Sequence, residues 1–104
     1  MFDDRKKQAE KQYQLDEEKK FKVIALRNKY IGMWVAEKLG IDGEKAKEYA
    51  KEVILSDLEE AGDQDVIKKI LIDCEKAGVD MSSDIIKEKL SYFFDKAAKT
   101  FIEK

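Results

Sequence analysis

The chain of 104 residues contains no proline, and its apolar residues recur at helical spacing in segments that end at glycines. Proline breaks helices because it lacks a backbone N–H and clashes with the preceding turn, so its complete absence favours an all-helical protein. The glycines that end these segments are Gly40, Gly62 and Gly78, and Asp42 and Asp63 stand where they can cap the next helix. The sequence therefore predicts four helices in an all-α fold.

Each predicted helix carries one apolar stripe. The first stripe comprises Phe21, Ile24, Ile31, Trp34, Val35 and Leu39, and the second comprises Ala46, Tyr49, Ala50, Val53, Ile54 and Leu58. The third comprises Val66, Ile67, Ile70, Leu71, Cys74 and Ala77. The fourth helix starts at Ser82 or Ser83 and carries Ile85, Ile86, Leu90, Phe93, Phe94, Ala97, Phe101 and Ile102. The connections are short, so consecutive helices are expected to pack as neighbours around one core.

The first eighteen residues are mostly charged and form a segment, named here the arm, that cannot build a core. Three of its apolar residues lie in phase with the first stripe, namely Phe2, Ala9 and Tyr13. A helix running unbroken from Asp3 to Leu39 would be about 55 Å long, far longer than the other three. We therefore predict a bundle over residues 19–104 and an overhanging or partly disordered arm over residues 1–18 that is available to another molecule. A solvated tail is the alternative.

The balance of charges argues against several classes of partner. The net charge is −2 and only Arg5 and Arg27 are arginines, so the chain has no field that favours nucleic acid or an anionic membrane. No run of about 18 apolar residues could span a bilayer. One cysteine excludes an internal disulfide, and the charged start does not read as a secretion signal. We expect a monomeric cytoplasmic protein.

The sequence lacks the residues that most catalytic and metal sites need. It has no histidine and one cysteine, so the commonest general base and the usual zinc ligands are missing. Cys74 lies on an apolar stripe and is expected to be a buried small side chain. The Asp63-Gln64-Asp65 stretch resembles the start of a calcium loop but fits a helix cap better. We predict no enzyme activity, no cofactor and no metal.

Two polar features remain open between structural and functional readings. An acidic corner surrounds the end of the second helix, formed by Asp57, Glu59, Glu60 and Asp63. We expect it to be solvated and partly matched by Lys68 and Lys69, although an acid/base site or a partner patch is the alternative. Asn28 falls inside the first apolar stripe, where it is expected to bond to a neighbouring helix end or to specify packing.

A string of short motifs runs along nearly the whole chain. It begins with Phe2-Asp3-Asp4-Arg5, Asp16-Glu17-Glu18, Phe21, Arg27-Asn28-Lys29, Gly32, Trp34 and Ala36-Glu37-Lys38-Leu39-Gly40. It continues with Tyr49-Ala50, Glu52-Val53, Asp57, Glu59-Glu60-Ala61-Gly62-Asp63, Asp65-Val66 and Gly78-Val79-Asp80. In their order and spacing these motifs resemble the zeta-subunit inhibitors of the α-proteobacterial F-type ATP synthase, and the common order makes the resemblance specific.

The resemblance implies a four-helix bundle whose arm enters the catalytic head of ATP synthase, at the interface of its α, β and γ subunits, and blocks ATP hydrolysis. The implied partner-binding residues are Phe2, Asp3, Asp4, Arg5, Ala9, Tyr13, Asp16, Glu17 and Glu18. The aromatic side chains would supply apolar contact and the charged ones would fix the register of binding. The implied location is the cytoplasmic face of the membrane-bound enzyme.

At two positions the chain departs from the family pattern. Ala9 stands where the family usually has an aromatic residue, and Leu15 stands where it has a histidine. The loss of an aromatic anchor weakens binding, so a weakly inhibitory or non-inhibitory family member is one alternative. A bundle that binds a small ligand, such as an adenine nucleotide held by lysines and carboxylates of facing helices, is the other.

Overall fold

The structure is a computed structural model that describes residues 15–57 and 63–102. These residues form four α-helices: α1 over Glu17–Lys38, α2 over Gly43–Asp57, α3 over Gln64–Lys76 and α4 over Ser83–Ile102. The described part contains no β-strand. The prediction of an all-α four-helix bundle with a long first helix is confirmed, since α1 has 22 residues and is the longest of the four.

Helix α1 begins at Glu17 rather than near Asp3. Asp16 has extended backbone angles, with φ −73° and ψ 173°, and its carboxylate accepts a 2.7 Å hydrogen bond from the backbone N–H of Lys19. This is the geometry of an N-cap, which satisfies one of the free N–H groups of the first turn. An unbroken helix from Asp3 to Leu39 is therefore not formed, and the predicted boundary at residue 18 lies within the first turn of α1.

The ends of α1 and α3 and the start of α4 follow the predicted punctuation, whereas the predicted stop at Gly62 lies outside the described residues. Gly40 and Gly78 have positive φ angles directly after α1 and α3, and the hydroxyl of Ser82 accepts a 3.2 Å hydrogen bond from the N–H of Ile85. Asp63 precedes α3 as predicted, but its side chain makes no capping hydrogen bond. The carboxylate is instead bound to a side chain of α1, as described below.

The main core lies where all four helices meet. Helix α1 contacts α2 and α4, and α3 contacts the same two helices. The buried side chains of this cluster are Ile31, Val35, Ala36, Ala46, Tyr49, Val53, Val66, Ile70, Cys74, Ile86, Leu90 and Phe93. Full burial of a side chain such as Ile or Val contributes about 1.5–3 kcal/mol, so this cluster supplies most of the stability of the bundle.

Helices α1 and α2 approach each other closely at Gly32. A Cβ atom built on Gly32 would lie 2.7 Å from the Cα of Ala50 and 3.5 Å from the Cβ of Val53. The first distance is shorter than any normal carbon–carbon contact, and backbone atoms cannot move aside as a flexible side chain can. Glycine at this position allows the two helix backbones to touch.

A second, smaller cluster joins the start of α1 to the end of α4. Val23, Ala97 and Ala98 are fully buried there, and the half-buried side chains around them are Leu15, Leu26, Tyr30, Phe94 and Phe101. Two of the three buried side chains are alanines, so this cluster buries much less apolar volume than the main core. The described tertiary packing of the first two turns of α1 is made by this cluster.

The prediction that Phe21 lies in the core is wrong. Its side chain is 61% exposed, whereas Val23 is fully buried. The buried face of α1 includes Arg27 and Asn28. Because these residues are polar, the spacing of apolar residues alone does not identify this face as the buried one. Ile85, also placed on a core stripe, is 43% exposed, while the neighbouring Ile86 is fully buried.

Candidate partner-binding site

The predicted partner-binding residues lie at the N-terminal end of the chain. Phe2, Asp3, Asp4, Arg5, Ala9 and Tyr13 are outside the described residues. Asp16, Glu17 and Glu18 are described, and all three are exposed at the start of α1. Their role in binding a partner stays a prediction, and their local geometry shows what each does within the bundle.

The three carboxylates stabilise the first turn of α1. Asp16 is the N-cap, Glu17 and Glu18 lie in the first turn, and an Oε atom of Glu18 is 3.4 Å from the Nζ of Lys22. Negative charge is favourable at a helix N-terminus because the free N–H groups and the helix dipole are positive there. The surface Glu18–Lys22 pair adds little stability. Lys19, Lys20 and Lys22 follow at once, so a partner that approached this end of the bundle would meet charges of both signs on an ordered turn.

Leu15 fixes the point at which the arm joins the bundle. Its half-buried side chain packs against the second cluster, whose buried residues come from α1 and α4. An apolar side chain in this place contributes to packing, and it has no proton to gain or lose near neutral pH. The packing of this side chain therefore explains why a leucine can stand at position 15, where the family pattern has a histidine.

Phe21 is an exposed aromatic side chain one turn after the acidic start of α1. Residues three and four apart share a helix face, so Phe21 lies next to Glu17 and Glu18. It belongs to neither core cluster. Sequence reasoning placed it in the core because its spacing from Ile24 fits an apolar stripe, and only the buried polar residues further along α1 could have corrected this.

A buried polar cluster ties α1 to the start of α3. The Nε and Nη2 atoms of Arg27 donate hydrogen bonds of 3.0 and 2.8 Å to the Oδ1 of Asn28, and Nη2 also donates a 3.0 Å bond to the Oδ1 of Asp63. Arg27 and Asn28 are 6% and 1% exposed. Burying such groups is costly unless they are paired, and here they pair with each other. Asn28 bonds to Arg27 of its own helix, and Arg27 makes the contact with the start of α3, so this geometry supports a packing role for Asn28 rather than a direct bond to a neighbouring helix end.

The described part of the acidic corner pairs with an arginine. Asp63 pairs with Arg27, while Lys69 lies 3.0 Å from Asp73 and 3.3 Å from Glu52. The side chains of Asp57, Glu59 and Glu60 lie outside the described part of the chain, so the expected match of the corner with Lys68 and Lys69 stays a prediction.

A second polar network links α2 and α3. The hydroxyl of Tyr49 donates a 2.8 Å hydrogen bond to the carboxylate of Asp73, and the ammonium of Lys69 lies 5.1 Å from the centre of the Tyr49 ring. Burial raises the pKa of Tyr49 well above its usual value, and the hydrogen bond to Asp73 adds to the effect. Burial alone would lower the pKa of Lys69, but the bonds and charges of Asp73 and Glu52 outweigh it and raise that pKa.

The described residues offer no clear site for a metal or a reactive thiol. No group of three or more His, Cys, Asp or Glu side chains within 15–57 and 63–102 could hold a metal ion. Cys74 is 1% exposed, and burial together with the charge of Asp73 raises the pKa of its thiol. A thiol with a raised pKa is a poor nucleophile at neutral pH, so the prediction of a buried packing residue is confirmed.

An open groove lies between α3 and α4 in the described part of the chain. Its volume is about 450 Å³, and its lining residues are Gln64, Ile67, Lys68, Leu71, Ile72, Glu75, Ser83 and Lys87. The lining contains no aromatic ring on which an adenine base could stack. The groove therefore gives no specific support to the nucleotide-binding alternative.

Within the described residues, no helix is both long and apolar enough to cross a bilayer. The fold defines a small helical bundle with an attached charged segment.

The sequence model of the ATPase inhibitor subunit zeta family matches residues 1–100. A protein solved by NMR in solution is 39% identical in sequence, with a TM-score of 0.69, and the match covers 81% of this chain and 96% of that one. No curated protein sequence matches the chain.

The chain belongs to the ATPase inhibitor subunit zeta family, because that family's model covers nearly its whole length. It is therefore a regulatory protein rather than an enzyme, and its binding partner is the ATP synthase. The match begins at residue 1 and so includes the arm as well as the bundle.

Proposed function

We propose that this protein blocks ATP hydrolysis by inserting its arm, residues 1–18, into the catalytic head of ATP synthase. The arm would enter at the interface of the α, β and γ subunits on the cytoplasmic side, while the bundle stays outside. The observation that carries the proposal is the family match over residues 1–100, which includes the arm.

Two features of the structure support an inhibitory arm that is separate from the folded bundle. The bundle has its own core, and the described buried residues of this core all lie in α1, α2, α3 and α4. The arm is joined to the bundle through Leu15, which packs against the second cluster, and through the Asp16 cap of α1. A charged segment that is held at one end and ordered only in a cleft would bind by coupled folding, which makes its binding sensitive to the state of that cleft.

The test is a titration of ATP hydrolysis by an isolated ATP synthase head, with the full chain and with a shortened chain that begins at Leu15. This start keeps the Leu15 packing and the Asp16 cap, so the bundle should remain folded, which a thermal melt would check. The proposal predicts inhibition by the full chain and none by the shortened chain. Equal inhibition by both chains would contradict it.

A pair of full-length variants tests the residues of the arm without shortening the chain. The double substitution Phe2→Ala with Tyr13→Ala should weaken inhibition by about tenfold or more, because aromatic anchors commonly carry a large share of binding energy. Leu55→Ala is the matched control, since Leu55 is an apolar residue of α2 that is 61% exposed. If the control and the arm variant inhibit equally well, the arm side chains are not anchors.

A further inference from the structure

A continuous row of aromatic rings and lysine side chains crosses from α1 to α4. We name it the aromatic–lysine face, and its members are Tyr30, Trp34, Lys38, Lys89, Tyr92 and Lys96. The ammonium groups of Lys38 and Lys89 lie 5.6 and 5.3 Å from the centre of the Trp34 ring. Each of these distances is within the range of a cation–π contact.

The same row continues along α4. Lys89 also lies 5.4 Å from the ring of Tyr92, and Lys96 lies 4.9 Å from the ring of Tyr30. The buried ring of Phe93 contacts both Tyr92 and Tyr30: its centroid lies 5.2 Å from that of Tyr92 and 6.0 Å from that of Tyr30. Contact with a ring favours one position of each ammonium group, so less side-chain freedom would be lost when the lysines bind a partner.

The lysines of this face combine contact with aromatic rings and the lack of a carboxylate partner. Lys22, Lys47, Lys69 and Lys99 each form an ion pair with a carboxylate. Lys38, Lys89 and Lys96 form no such pair within residues 15–57 and 63–102, which is also true of other exposed lysines, but these three lie close together over rings of one face. Three positive charges therefore stand together without a carboxylate in contact, although acidic residues outnumber basic ones in the chain.

The face is suited to carboxylates rather than to nucleic acid bases or lipid. A base would have to displace the lysines that lie over the Trp34 and Tyr92 rings before it could stack. Membrane binding needs apolar side chains that can insert, but Trp34 packs against the main core and Tyr92 is the one strongly exposed ring of the row. Lysine is a point charge that pairs well with exposed carboxylates.

The face is also continuous with the place where the arm joins the bundle. Tyr30, which Lys96 covers, packs against both core clusters, including the one that holds Leu15. A partner that holds the arm therefore lies within reach of the Lys96 end of the face.

We propose that the aromatic–lysine face is a second docking surface, which binds a carboxylate-bearing surface of the ATP synthase head. The inference rests on the proposed function, because it takes the head as the partner. Its effect is electrostatic attraction outside the cleft, which speeds association and helps to hold the bundle against the head.

The test compares two full-length triple variants with the same change in charge. One carries Lys38→Glu, Lys89→Glu and Lys96→Glu. The matched control carries Lys29→Glu, Lys45→Glu and Lys51→Glu, whose native side chains are exposed elsewhere on α1 and α2. Binding of each labelled chain to the isolated head is measured at about 50 mM and about 200 mM salt, a range over which screening changes strongly. Thermal melts check that both variants are folded.

The face variant should bind the head about tenfold or more weakly than the native chain at low salt, with a flatter salt dependence. The control should bind as the native chain does. A third full-length variant with arginine at positions 38, 89 and 96 keeps the charges, and it should bind as the native chain does even if the glutamate variant loses stability. Equal weakening of face variant and control, or native binding by the face variant, would overturn the inference.

The outcomes separate this inference from the proposed function. If the face variant binds normally while the chain that begins at Leu15 fails to inhibit, the arm proposal stands and the docking surface is wrong. If the face variant binds weakly while that shortened chain still inhibits, the docking surface stands and the arm proposal is wrong. The native chain and the face variant are also mixed with vesicles of anionic phospholipid. If the native chain binds the vesicles and the face variant does not, while both bind the head equally, the face is a membrane surface and the inference is overturned.

Discussion

The two halves of α1 are held in very different ways. From Ile31 onward the helix is buried in the main core and touches the backbone of α2 at Gly32. Before Arg27 it is held mainly by Val23 and two alanines of α4, and Phe21 faces outward. The half that is packed tightly belongs to the bundle, and the half that is packed lightly carries the arm. Segments that bind partners are commonly the less stable ones.

The largest effect is expected where the packed half touches α2. Gly32→Val would place side-chain atoms where the Ala50 backbone already lies, and should lower the free energy of unfolding by about 3 kcal/mol. Urea denaturation measures this. Met33→Val is the control for the cost of a β-branched residue in a helix, because Met33 is 37% exposed. A Gly32→Val chain as stable as this control would mean that the two helices are not in close contact.

The next effect is expected at the junction between the two halves. Arg27→Met leaves Asn28 and Asp63 without the guanidinium, and should cost about 2 kcal/mol because Asp63 is partly exposed and can regain water. Arg27→Lys keeps the charge but not the forked geometry, so its loss should be smaller. The same urea titration compares them. Native stability of the Arg27→Met variant would mean that the pairing contributes nothing.

A smaller effect is expected in the lightly packed half. Leu15→Ala should lower the free energy of unfolding by about 1 kcal/mol, since Leu15 is only half-buried. Hydrogen exchange should become faster at amides in the first turns of α1 and remain unchanged around Ile31. Faster exchange throughout the bundle would show instead that the second cluster is not a separate unit.

Phe21 tests whether the lightly packed half contacts the partner. Phe21→Ala should change the free energy of unfolding by less than about 0.5 kcal/mol, because the side chain is exposed. If Phe21 extends the contact made by the arm, the variant should inhibit ATP hydrolysis more weakly than the native chain. Leu55→Ala, with the same exposure, should inhibit normally. Normal inhibition by both variants would exclude Phe21 from the interface.

The smallest effect is a pH dependence at the network between α2 and α3. A raised pKa means that the folded state holds the proton more tightly than the unfolded state does. The resulting stabilisation is complete below the pKa of the unfolded state, and it is lost as the pH rises through the pKa of the folded state. The unperturbed values are 10.0 for Tyr49 and 10.5 for Lys69, and both are raised. Unfolding titrations between about pH 9 and pH 11 should therefore show falling stability, and the fall should be smaller in Asp73→Asn. An unchanged slope in Asp73→Asn would contradict this assignment.

Local signals predicted much of the fold. The glycines at 40 and 78, the Ser82 cap and the apolar stripes of α2 and α3 act within a few residues of the chain, so the sequence displays them directly. The buried place of Cys74 followed from the same periodicity. These features need no knowledge of which helix lies beside which.

The errors arose where distant residues decide the outcome. Phe21 was assigned to the core because the buried face of α1 passes through Arg27 and Asn28, whose burial depends on Asp63 far along the chain. Asp63 does not cap α3 for the same reason. The scarcity of arginine was a usable signal: one of only two arginines lies next to an asparagine within an apolar stripe, which suggests a buried hydrogen-bonding role.

The measurement that tests the account most directly is inhibition of ATP hydrolysis by the full chain and by the chain that begins at Leu15. The shortened chain keeps both core clusters and the Asp16 cap. The account predicts that the full chain inhibits the ATP synthase head and that the shortened, folded chain does not. Inhibition by the shortened chain at the same concentration would place the inhibitory surface on the bundle and contradict the central claim.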